Sequence, residues 1–236
     1  MADFKTHIST STVVGLAYGY WGETSQSMSL ETGILAGGLC SVSGMLPDLD
    51  SDGGIPLREI SMFAAAVVPM MMLNRFRDYN LSHESMALAA MLIYVVIRFG
   101  VCEFFKRFTV HRGMWHSLPA AASAGLIAYL AMPCHSNAER AYKAVGVIVG
   151  FLVHLILDEI WAVEFGVARF RMKKSFGTAL KFFGNDAISN VFIYAILFAL
   201  AYAAWGDGAI AARLRERAKY DLSEKFNSKT DSPPAD

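Results

Sequence analysis

The stretch Ala144-Val-Gly-Val-Ile-Val-Gly-Phe-Leu-Val-His-Leu-Ile-Leu-Asp-Glu-Ile-Trp-Ala-Val163 decides the fold class. It has the length a bilayer span requires, roughly 20 mostly apolar residues. Yet it carries His154 and Asp158, four positions apart. On a helix that spacing puts both side chains on one face at neighbouring levels, and ionisable groups inside an apolar window ordinarily have a functional reason. The plain alternatives are a His–Asp hydrogen bond, or an aspartate at a helix end that meets water.

Further low-charge windows occur at Ile8 to Trp21, Thr32 to Leu46, Ile60 to Leu73, Met86 to Phe105, Leu118 to Met132 and Ile188 to Trp205. Met86 to Phe105 is long enough to span and Ile188 to Trp205 is borderline. The shorter windows are rich in Gly, Ala and Ser, which let helices approach closely in a bilayer. No strand alternation of useful length competes, which predicts an all-α, multi-pass membrane bundle with short helices. The whole chain agrees: of 236 residues, 54% are hydrophobic and 18% charged, against roughly 45–50% and 25% in an ordinary soluble domain. Lys plus Arg and Asp plus Glu each total 21, giving zero net charge, so no basic field exists to hold nucleic acid, and none is expected as a partner. Cys40, Cys102 and Cys134 are too scattered for a disulfide framework or a thiolate zinc site and read as buried thiols. The start, Met1 to His7, lacks the pattern of a cleaved signal peptide.

If the windows run up and down in order, four polar groups fall on one face of the membrane. These are His7, the run Leu46-Pro47-Asp48-Leu49-Asp50, the run His111-Arg112-Gly113-Met114-Trp115-His116-Ser117, and His154 with Asp158. They are read as one constellation. A turn at Gly113 can bring His111 and His116 together, and neutral imidazole suits zinc, iron, nickel or manganese. Taken alone, two loop histidines are more often solvated. Asp48 and Asp50 can ligate a metal or activate water, Arg112 can clamp an anionic substrate, and Ser117 can cap the helix that follows. Asp48 to Glu59 also matches the calcium-loop pattern D-x-[DN]-x-[DN]-G-x5-E, but Pro47 and Pro56 constrain that loop and no second copy pairs with it. His83 and His135 fall on the other face and read as surface residues. Arg98 reads as pairing with Glu103 or reaching toward the interface, without a catalytic role.

Thr6-His7, Leu46-Pro47-Asp48-Leu49-Asp50-Ser51, His111 to Ser117 and His154-Leu155-x-Leu157-Asp158, in this order, resemble the signature of the YdjM-like inner-membrane-associated proteins. The resemblance covers about residues 4 to 165. It implies a helical protein of the inner membrane, a metal-dependent hydrolase whose ligands would be His7, Asp48, Asp50, His111, His116, His154 and Asp158. Trp115 departs from the pattern, standing where many members carry a threonine. A more distant similarity is to zinc-dependent phospholipase C and the P1-type nucleases, whose H-x-x-x-D helix element matches His154 and Asp158; their N-terminal tryptophan ligand has no counterpart here. Four histidines and three aspartates exceed one tetrahedral ion and suit two divalent ions, zinc first, with manganese or iron as alternatives.

The expected activity is hydrolysis of a phosphoester, a phospholipid or related compound, by metal-activated water. Asp48 or Asp50 would be ligand or base, with Arg112, Lys106 and Arg107 neutralising phosphate charge. The rival is a metal-binding transporter, sensor or scaffold; a transporter calls for ligands at the midplane between two related halves, and no half resembles the other. Arg169 to Lys181 is basic and aromatic, suited to anionic headgroups or to anchoring neighbouring helices. Residues 1–205 form the embedded domain, and 206–236 a polar tail, partly helical and then disordered. Ten basic residues fall on each side in this scheme, if Arg98 is left within its window, so the positive-inside rule chooses no orientation.

Overall fold

The computed structural model describes residues 3–50, 55–101, 113–132, 136–166, 169–172 and 180–207. The helices are α1 (Phe4–Ser25), α2 (Leu30–Ser43), α3 (Ile55–Met71), α4 (Leu73–Asp78), α5 (His83–Val95), α6 (Leu118–Ala131), α7 (Asn137–Trp161) and α8 (Ala187–Asp207). A 3-10 turn, Pro47–Asp50, follows α2, and a π-helical segment, Val96–Val101, continues α5. Every predicted window is helical over most of its described length; Gly44–Leu46, Met132 and Ala162–Val163 at the window ends fall outside the helices. Among the described residues the all-helical expectation holds apart from one antiparallel hairpin, Val163–Gly166 with Arg169–Met172, which pairs Glu164 opposite Arg171. Strands of four residues are too short to show alternation in sequence.

Local chemistry sets the helix starts. Asp3, Ser29, Ser82, Ser117 and Ser136 each accept a backbone N–H of the first turn of α1, α2, α5, α6 and α7, satisfying donors a helix start leaves open. The Thr6 hydroxyl and amide hold the Asp3 carboxyl below the usual carboxylate range.

The core is α1, α2 and α7, with α6 against α7. Glycine lets these helices meet backbone to backbone: a Cβ on Gly37 would stand 2.6 Å from the Gly15 carbonyl oxygen, one on Gly19 2.6 Å from that of Gly33, and one on Gly150 would collide with the Cys40 carbonyl and the Ser43 hydroxyl. Such close approach is how helices associate where lipid removes the hydrophobic drive. Cys40, a free thiol, is fully buried here; Cys102 and Cys134 lie outside the described residues.

Helices α1, α2, α6, α7 and α8 run alternately between two ends, as the alternation expects. One end gathers the starts of α1 and α6 and the ends of α2 and α7. At the opposite end Arg75 of α4 and Arg140 of α7 each reach an Asp207 carboxylate oxygen of α8 at 2.8 Å. The same arginines donate to the Leu130 and Tyr129 carbonyls at the C-terminus of α6, where helix carbonyls lack partners and cations are favoured. Helix α8 therefore traverses the bundle and continues to Asp207, two residues past Trp205. Among the described residues, three helices are long and apolar enough to cross a membrane: His83–Gly100, Asn137–Trp161 and Ala187–Asp207.

Candidate metal centre

Four elements of distant sequence deliver the buried polar groups. The Asp3 cap sets the first turn of α1, where the His7 amide donates to the Asp3 carbonyl. Helix α2 ends at Gly44, and the chain turns through Leu46 into the 3-10 turn that carries Asp48. A turn closed by the His116 amide on the Gly113 carbonyl presents His116, and Ser117 then caps α6, as its sequence position suggested. His154 and Asp158 project from the last two turns of α7.

These groups converge. His7 Nε2 lies 3.5 Å from Asp158 Oδ1, His154 Nε2 lies 3.5 Å from Asp48 Oδ1 and 3.9 Å from Asp158 Oδ2, and His116 Nε2 lies 4.0 Å from Asp48 Oδ1. His7, His116, His154 and Asp158 are all at most 1% exposed, whereas the Asp48 side chain is 17% exposed and so reaches the surface. Two sets of donors, His7–His154–Asp158 and Asp48–His116–His154, each have ligand atoms within 4.8 Å of one another.

The tautomer of His154 follows from its partner. Nδ1 is 2.7 Å from the Gly44 carbonyl oxygen, which can only accept, so Nδ1 carries the proton and Nε2 the lone pair. Nε2 has no hydrogen bond among the described residues, yet it faces two carboxylates. That arrangement is repulsive unless a proton or a metal cation sits at Nε2. Neutral imidazoles with carboxylates, one imidazole oriented by a backbone carbonyl, are the donor set and outer support of a divalent transition-metal site. The residues fit a metal.

Of the seven ligands expected, the structure brings together His7, Asp48, His116, His154 and Asp158. The Asp50 backbone closes the 3-10 turn, and its side chain lies outside what is described. His111 and Arg112 lie outside the described residues, as do Lys106, Arg107, His135, Glu103, residues 51–54 of the calcium-like loop and the tail beyond Asp207. His83 is exposed at the start of α5, away from the site. The Arg98 guanidinium lies 5.6 Å from the Phe99 ring centre.

Trp115 has a role that its sequence position did not reveal. Its indole Nε1–H donates to the Leu46 carbonyl at 2.8 Å, and its ring meets Phe151 edge-on. One side chain thus ties the turn bearing His116 to the turn bearing Asp48 and to α7. Ser11, one turn beyond His7, is fully buried against Gly44, whose Cβ would collide with its hydroxyl. The i, i+4 spacing from His7 was the one available signal for it.

No curated protein and no solved structure matches the chain. The sequence pattern of the YdjM inner membrane protein family matches residues 1–214, nearly the whole chain and all the motifs that build the site. The chain belongs to the YdjM inner membrane protein family.

Proposed function

We propose that this protein is a membrane-bound metal-dependent hydrolase acting on a phosphoester in or near the lipid, a phospholipid or related compound. The observation that carries the reading is the His154 Nε2 lone pair, fully buried, without a hydrogen bond among the described residues and facing Asp48 and Asp158. The ligands on this reading are His7, Asp48, Asp50, His111, His116, His154 and Asp158, for two ions of the zinc class. When bound, such an ion supplies an acidified water and charge to stabilise the attacking and leaving oxygens. Asp48, the most exposed of the described donors, is suited to meet substrate as ligand or base, and Arg112 with Lys106 and Arg107 would balance the phosphate charge. The site would lie at one membrane face, because its residues sit at helix ends. That placement favours an enzyme over a transporter, whose ligands belong near the midplane.

Elemental mass spectrometry of detergent-purified protein is expected to find a stoichiometric transition metal that His154→Ala and Asp158→Ala deplete. A panel of phosphodiesters and phospholipids is then expected to give turnover lost in the same variants. Absence of metal sinks the proposal; metal without turnover on any substrate replaces the hydrolase with a transporter, sensor or scaffold.

A further inference from the structure

The two donor sets share His154, and His154 has one nitrogen to give. Nδ1 is committed to the Gly44 carbonyl, and a single lone pair binds a single ion. The two sets also do not merge into one group within 4.8 Å, while two donors on opposite sides of one ion are separated by only about twice the 2.0–2.2 Å bond length. One ion therefore cannot take all five donors, and His154 must belong to one set or the other.

The planes of the rings decide which. A metal lies in the plane of an imidazole, along the nitrogen lone pair. Two imidazoles on one tetrahedral ion, with bonds of about 2.0–2.1 Å, hold their ring centres roughly 5 Å apart with their lone pairs converging. His116 and His154 fit that relation: centres 5.7 Å apart, planes crossed at 62° and ligand atoms within 4.8 Å of each other. His7 and His154 do not. Their rings are stacked, with centres 3.7 Å apart and planes 12° from parallel, so their in-plane lone pairs run side by side and no one point lies on both.

We infer that the primary ion of this site is held by Asp48, His116 and His154, and that His7 is a positioning residue rather than a ligand of that ion. The inference rests on the metal reading proposed above. His7 lies flat on the His154 ring and, with the Gly44 carbonyl at Nδ1, fixes the plane in which Nε2 points toward Asp48. Asp158 spans the two histidines, with Oδ1 3.5 Å from His7 Nε2 and Oδ2 3.9 Å from His154 Nε2. A second ion would have to rely on His7 and Asp158 with donors other than His154, and so would be held differently from the first. The site is asymmetric: its primary position reaches the surface through Asp48, and the His7–Asp158 pair is sealed behind it.

Titration of the chelator-treated, detergent-solubilised full chain with Co²⁺, followed by visible absorption, separates these assignments. His7→Phe keeps the stacked ring and removes its nitrogens. It is expected to leave the affinity of the first Co²⁺ equivalent within about tenfold, the lower range for loss of an outer partner, whereas His116→Phe and His154→Phe weaken it more than about 100-fold. His7→Gln, which keeps a polar group of similar reach, serves if the Phe variant is not monodisperse. Loss of the first equivalent in both His7 variants to the extent seen for His154→Phe overturns the inference, as does its retention in His116→Phe. A wild-type chain that takes up no Co²⁺ removes the metal reading itself, a result distinct from either.

Discussion

Helices α5 and α7 are both apolar enough to cross a membrane, and they are built for opposite purposes. Half of the apolar window of α7 is buried within the protein, against none of that in His83–Gly100 and 6% of that in α8. The buried face of α7 contains Gly146, Gly150, Phe151, His154, Leu155 and Asp158: small residues where α2 approaches, large ones in the core, and ionisable ones at the site. The exposed spans show large apolar side chains instead, with Leu88, Met91, Phe198 and Tyr202 all more than 60% exposed, as befits surfaces meeting lipid tails. A shared capacity to cross a membrane thus conceals two architectures. One is a glycine-packed core that carries the chemistry; the other is an outer layer that shows its large apolar side chains outward, α8 being held by Asp207 and by Ile193 in the core.

Three substitutions probe that division, from the largest expected effect to the smallest. Asp207→Ala removes the carboxylate that holds Arg75 and Arg140, both at most 7% exposed. Stranding buried charge costs about 3–5 kcal/mol, so thermal unfolding in detergent should occur at a clearly lower temperature, and α8 should become the first segment open to proteolysis. An unchanged melting temperature would mean that α8 is held by something other than this clamp. Gly150→Ala tests the core, since its Cβ would strike the Cys40 carbonyl; overpacking costs about 1–3 kcal/mol, and the displaced α2 should carry the Gly44 carbonyl away from His154 and weaken metal retention. Gly38→Ala is the matched control. It lies beside Gly37 on α2, but its Cβ meets nothing within 4 Å, so the change should stay within about 0.5 kcal/mol or stabilise slightly through better helix propensity. Equal effects of Gly38→Ala and Gly150→Ala would mean that the close approach of α2 and α7 at Gly150 does not constrain the core.

Much of the outer layer was legible in the sequence, because crossing a membrane demands long runs without charge, and such runs can be read directly. The convergence of His7, Asp48, His116, His154 and Asp158 was legible too, since alternating windows assign each connection to an end. Pairing was harder. Periodicity tells which face a residue occupies but not what lies opposite, so the bond from Trp115 to Leu46, 69 positions away, had no trace in either local pattern. Arg75 and Arg140 lie between apolar windows in the sequence; their burial depends on a carboxylate arriving from α8. The stacking of His7 on His154 is likewise a matter of ring planes, which spacing does not encode.

The bond from His154 Nδ1 to the Gly44 carbonyl has a consequence for how the site can drift. Every amino acid carries that carbonyl, so no codon change at position 44 can delete the acceptor, and the tautomer of His154 is written into the main chain. What mutation can reach is the room around it: Ser11 lies where any side chain at Gly44 would have to go. Sequence variation at this spot is therefore policed by volume, while the hydrogen bond it protects is invisible to selection on side chains.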